Sequence, residues 1–263
     1  MKYVKGFLIN LQFFTIIPVP IELPMDKNHL DKAIKTFPLL GLLQGILYSL
    51  LLYVLVQWTP FSSLSIAFAL WLATILVTGG IHLDGWIDAS DAYFSYRDIE
   101  KRLEIMKDPR TGAFGVLSVL VLLSARFLFI YEVIIDPMFI TYLLITFIPF
   151  LSKGVMGLLI VTGRPAKKEG LASLFRNAVT LKALSIYPVY LVVVGLLLWT
   201  LDEVTLIPTI LLVVVALVGF VFLRMKSMKW FGGITGDVLG ASVEGIELTL
   251  WMSLWLLHYF VMG

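Results

Sequence analysis

The chain has 263 residues, 59% of them hydrophobic and only 14% charged, against roughly a quarter charged in an ordinary soluble domain. It carries 20 Lys and Arg against 18 Asp and Glu, a net charge of +2, and no Cys. That much apolar surface cannot be hidden in a soluble fold of this size, which excludes disorder, a disulfide scaffold, a free nucleic-acid-binding module and thiolate chemistry together.

Residues 1–20, MKYVKGFLINLQFFTIIPVP, join Lys2 and Lys5 to an apolar run broken by Asn10 and Gln12. No small-residue cleavage site follows, and Val4, Phe7, Leu8 and Leu11 make a helical stripe. An interfacial or re-entrant helix is expected there, not a signal peptide. A spanning helix needs about 20 mostly apolar residues. Seven stretches qualify: Phe37–Trp58, Phe61–Ile81, Gly112–Ile135, Met138–Val161, Ala183–Leu201, Val204–Leu223 and Asp237–Met262. The expected fold is all-α: one polytopic integral membrane domain over residues 1–263, with about seven transmembrane helices plus interfacial or re-entrant ones.

Short hairpins at Thr59-Pro60, Asp136-Pro137 and Asp202-Glu203 alternate with long polar connections. The N-terminal segment carries five Lys, the 82–111 and 162–182 loops five Lys or Arg each, and the 224–236 loop three. The short hairpins and the C-terminus carry none; only Arg126 and Lys153 lie inside candidate spans. By the positive-inside rule the N-terminus and the long loops face the cytoplasm, and the C-terminus lies outside.

The acids are placed as unevenly as the cations. In GGIHLDGWIDASDAYF, residues 79–94, Asp84, Asp88 and Asp91 stand at i, i+4 and i+7. On a helix they share one face within about 60° of arc. Three like charges so placed call for a cation, and oxygen ligands select a hard one such as Mg²⁺ or Mn²⁺. The bland alternative, a solvated acidic face, is weakened by Leu83, Trp86, Ile87 and Ala89 interspersed among them. A second pair, Asp237 and Glu244, opens the last span in GGITGDVLGASVE, residues 232–244, with Asp237 readable as a helix N-cap, a ligand or both. Both clusters enter from the same side and are expected to face one site.

Between them, Lys107, Asp108 and Arg110 in EIMKDPRTGAFGV, residues 104–116, precede a glycine at a helix entry. That arrangement suits a phosphate, though basic residues at a membrane boundary serve as topology signals more often. Lys153 is expected to snorkel or reach a phosphate, and Arg126 to pair with Glu132 or with an acid of another helix. Together the pattern fits metal-assisted displacement at phosphorus.

These three motifs, with FFTIIPVP near the start, FPLLGLLQG at 37–45 and RPAKKEGLASLF at 164–175, closely resemble the cobalamin synthase family (adenosylcobinamide-GDP ribazoletransferase) in the same order across essentially the whole chain. The resemblance implies a Mg²⁺-dependent enzyme of the bacterial or archaeal cytoplasmic membrane, acting late in vitamin B12 assembly. It would join adenosylcobinamide-GDP to α-ribazole or its 5′-phosphate and release GMP. Asp84, Asp88, Asp91 and Asp237 would then be the catalytic, metal-binding acids, with Glu244 as a further metal ligand. Lys107, Asp108, Arg110, Lys153 and His82 would contact phosphate or shape the site. The implied partners are these small molecules and the bilayer, with no nucleic acid; a homo-oligomer or a complex with other cobalamin-assembly enzymes stays open. The family often has Arg at the position of Lys153, which offers a point charge in place of a planar fork.

Two other readings compete. A CDP-alcohol phosphotransferase-like enzyme also uses spaced Asp residues and Mg²⁺, but its D-x-x-D-G…A-R pattern is absent here. A secondary transporter would place charges near the midplane of repeated halves; the acids here gather at one end and no repeat is visible.

Overall fold

Inside a bilayer every backbone amide needs a partner within the chain, and a helix supplies it locally. A computed structural model describes residues 2–262, and they follow this rule: eleven α-helices and the segments that connect them, with no strand among the described residues. These are α1 (Lys2–Phe14), α2 (Lys27–Trp58), α3 (Ser63–Leu76), α4 (Ile81–Phe94), α5 (Ile99–Ile105), α6 (Ala113–Ile134), α7 (Phe139–Thr162), α8 (Leu171–Ala178), α9 (Tyr187–Leu201), α10 (Leu206–Phe231) and α11 (Gly236–Leu257). The protein is an all-α membrane protein. Five helical stretches are long and apolar enough to cross a bilayer: α2, α6, α7, α9 with the turn before it, and α10. The second predicted span is interrupted: α3 and α4 meet the same test only as a pair bent by 80°. The break falls at Gly79 and Gly80, whose φ of 64° and 73° lie in the left-handed region that glycine tolerates. Helix α4 turns away from α3, and its three acids lie beyond the end of the predicted span at Ile81. The seventh predicted span, Asp237–Met262, forms α11, which is not among these helices; its run carries Asp237, Glu244 and Glu247.

Helix α7 is the centre of the bundle. Seventeen of its 24 residues are buried, whereas α9 buries only Val194 and Leu198. Without a hydrophobic force between helices in lipid, close backbone approach holds the bundle together. Gly41 and Gly45 of α2 lie so near the carbonyls of Pro149 and Thr146 that a Cβ would sit 2.1 Å from either oxygen. Across the bundle, the Trp71 indole of α3 donates to the Leu123 carbonyl of α6 at 3.0 Å.

Three elements depart from the sequence reading. Helix α2 begins ten residues before the predicted span, capped by Asp26, whose side chain accepts from the backbone of Asn28 and His29. Helix α10 likewise runs on to Phe231, past the expected Leu223. In α1 the buried face is Gly6, Ile9, Asn10 and Leu11, while Val4 is exposed. Asn10 interrupts the apolar stripe because it is the contact: its amide donates to the Ala33 carbonyl at 2.8 Å and the Thr36 hydroxyl at 3.0 Å.

Candidate active site

The acids collect at the end of the bundle that also carries α1, α5 and α8. Helix α4 lies against the N-terminal half of α11 through Gly85: a Cβ there would come within 2.7 Å of the Asp237 carbonyl oxygen. That contact brings Asp84 and Asp88 beside Asp237, from which they are 149 residues or more distant in the sequence. Thr235, not Asp237, caps α11, accepting from the Val238 N–H at 3.1 Å. Asp237 is thereby left in the first turn, held by the Thr235 hydroxyl at 3.3 Å.

Asp84 is exposed, while Asp88, Asp91 and Asp237 are half-buried. Burial first, then the charges of Asp84, Asp237 and Asp91, push the Asp88 carboxyl up to about 6, with Lys167 pulling the other way. Among the described residues none of the four has a cation within ion-pair distance. An excess of hard oxygen donors without a counter-charge fits a divalent cation in chemistry. The side chains are not closed around one: among the described residues no three His, Asp or Glu converge into a metal-binding group.

Asp91 has a second attachment. Its two oxygens accept the backbone N–H groups of Gly112 and Gly115, each at 2.7 Å, at the start of α6. One lone pair on each oxygen remains after these bonds. The sequence showed the triad's spacing but not this cross-helix cap.

The predicted phosphate contacts separate. Arg110 is taken up by Asp108, with Nε to Oδ1 at 2.9 Å and Nη2 to Oδ2 at 2.7 Å, and the guanidinium holds Asp108 down at about 2. Lys107 is exposed beside Met106, whose buried sulfur meets the Thr235 hydroxyl at 3.8 Å. His82 is buried, stacked on Phe14 with ring centres 6.0 Å apart, and its Nε2 has no partner.

Two expected site residues lie deeper. Glu244 is buried in an ion pair with Arg126, and Lys153 is fully buried 3.5 Å from Glu247, which also accepts from the Ser152 hydroxyl at 2.8 Å. These pairs join α6, α7 and α11 inside the bundle. Glu244 shares a helix with Asp237 without reaching the acid group, and Arg126 finds its partner on α11 rather than at Glu132. Glu247, which spacing within the last span could have flagged, was missed.

On the face of α4 away from the acids, an apolar cavity of about 720 Å³ lies between α4, α6, α10 and α11, lined by Trp86, Tyr93, Phe114, Phe222 and Trp230 among others.

The chain matches the family model described as cobalamin-5-phosphate synthase over residues 6–255. Among curated relatives, the adenosylcobinamide-GDP ribazoletransferase of Geobacillus sp. (strain WCH70) is 40% identical over 261 residues, 98% of each chain. That of Geobacillus kaustophilus (strain HTA426) is 40% identical over 265 residues, again 98% of each. That of Clostridioides difficile (strain 630) is 34% identical over 261 residues, 97% of this chain and 98% of its own. No solved structure matches the chain.

Proposed function

The chain belongs to the cobalamin-5-phosphate synthase family, and on that premise we propose how its own residues carry the reaction. The protein is a transferase of cobalamin biosynthesis with the adenosylcobinamide-GDP ribazoletransferase activity of its relatives. The observation that carries the mechanism is the gathering of Asp84, Asp88, Asp91 and Asp237 with no cation paired to them.

In this reading Asp84, Asp88 and Asp237 hold Mg²⁺, and Asp91 contributes while fixing α4 to α6. Mg²⁺ bound there would neutralise the donor's diphosphate and stabilise the departing phosphate. The hydroxyl of α-ribazole, or of its 5′-phosphate, attacks the phosphorus on the cobinamide side, and GMP leaves. The same cation would make the attacking hydroxyl more acidic, so that its proton can pass to water. Lys107 faces the donor's phosphates; Lys153 and Glu244 serve the bundle interior.

The membrane is the cytoplasmic one. Eighteen of the 20 Lys and Arg lie in the N-terminal segment and the three long loops, which puts the acids and the N-terminus on the cytoplasmic side and the C-terminus outside. The test is reconstitution of the purified protein with adenosylcobinamide-GDP and α-ribazole 5′-phosphate, with and without Mg²⁺. Mg²⁺-dependent GMP release with equal corrinoid product is expected. No product from folded protein given both ribazole forms overturns the reading, and CDP-diacylglycerol turnover would then be measured.

A further inference from the structure

We infer that Lys167 is a donor-binding residue: its ammonium group receives a phosphate oxygen of the nucleotide diphosphate at the acid site. The inference rests on the transferase reading above and names a residue that reading did not use.

The first observation is a backbone clip. The Ala166 N–H donates to the Ile234 carbonyl at 2.9 Å, and the Ile234 N–H donates to the Arg164 carbonyl at 2.8 Å. These two bonds make the isolated parallel bridge between Pro165 and Ile234. It forms beside Gly233, whose φ of 151° and whose 2.2 Å separation between a would-be Cβ and the Arg164 carbonyl leave room for no side chain. The clip fixes residues 164–166 to the segment that runs into Asp237, so Lys167, the next residue along the chain, is anchored beside that segment.

The second observation is what Lys167 faces. Its charge acts on both Asp88 and Asp237, and Lys107 stands near enough to act on Lys167 in turn. Lys167 is half-buried, yet among the described residues it forms no ion pair and no side-chain hydrogen bond. Burial, with Lys107 nearby, lowers its proton affinity against the pull of Asp237 and Asp88. A lysine this close to carboxylates that pairs with none of them has three donors unspent.

The third observation is that three other candidate cations are already paired. Arg110 is engaged by Asp108 and Lys153 by Glu247, as Arg126 is by Glu244. Lys167 is the cation whose charge reaches two of the four acids, and Lys107, on another loop, acts on Lys167. Two ammonium groups next to a carboxylate-held cation form a cradle for a diphosphate, whose charge neither set could neutralise alone.

The experiment compares Lys167→Met and Lys167→Arg with Lys168→Met, the exposed neighbour. Losing one charge-assisted hydrogen bond to phosphate predicts a rise of roughly tenfold or more in KM for adenosylcobinamide-GDP in Lys167→Met. KM for α-ribazole 5′-phosphate is expected to hold, Lys167→Arg to recover part of the loss, and Lys168→Met to match the unmodified protein. An unchanged donor KM with only an altered Mg²⁺ requirement overturns the inference, because Lys167 would then merely screen the acids. A second readout is independent of turnover: mass-spectrometric acetylation footprinting, in which adenosylcobinamide-GDP protects Lys167 and not Lys168. Protection without GMP release from the unmodified protein would sink the transferase reading and keep this one; absence of protection sinks this one.

Discussion

The carboxylate of Asp91 and the backbone N–H of Gly112 meet at 2.7 Å across two helices, so a side chain from α4 starts α6. Gly115 gives Asp91 a second donor, and an added Cβ at either glycine would sit 2.4 Å from a carboxylate oxygen. Asp91 therefore ties the acid-bearing helix to the bundle as well as contributing charge.

Asp91→Ala should lower the thermal midpoint of the detergent-solubilised protein by several degrees, the effect of losing an N-cap worth about 0.5–2 kcal/mol. Gly112→Ala should do the same by displacing the carboxylate. Asp84→Ala, at an exposed position with no such bond, should leave the midpoint unchanged. Equal midpoints for all three variants would contradict the cap.

Asp84→Asn and Asp88→Asn should each reduce Mg²⁺-dependent GMP release by roughly two orders of magnitude or more while membrane insertion survives. Both can be followed in one reconstituted assay with a protease-protection control. Full activity in both variants would remove these acids from the metal.

Proton competition gives a pH signature. Asp88 holds its proton up to about 6. A cation bound there must displace it, so the apparent Mg²⁺ affinity should be level above that pH and fall about tenfold per unit below it. Asp88→Asn should flatten the slope. A profile without a break near this pH in the unmodified protein would exclude Asp88 as the competing group.

Arg126→Met or Glu244→Gln alone leaves a buried charge without its partner, a loss on the order of 3–5 kcal/mol. Low yield and a reduced melting temperature are expected for each. The double variant Arg126→Met, Glu244→Met should regain most of the loss. Failure of the double variant to recover would mean the pair does more than balance charge.

The sequence read well where the physics is local or compositional. Segregated Lys and Arg, long apolar runs and the i, i+4, i+7 spacing of Asp84, Asp88 and Asp91 each depend on a single segment. Misreadings came where a residue's role depends on a distant neighbour. Asn10 looked like a defect in an apolar stripe because Ala33 and Thr36, its partners, are on another helix. Glu244 was grouped with Asp237 by spacing seven, but the depth of the helix in the bundle gave it to Arg126. Lys167 was one of several loop cations until the bridge from Pro165 to Ile234 gave it an address.

The uneven burial of α7 and α9 reaches beyond stability. With seventeen of 24 residues enclosed, α7 is specified position by position, since each side chain must fit a particular hollow. Helix α9, with only Val194 and Leu198 enclosed, answers mainly to the oil around it. Its letters are close to interchangeable within an apolar alphabet: a run of leucines around those two positions would carry nearly the same message. The protein thus stores its structural information very unequally among its helices, with one written in detail and another almost blank.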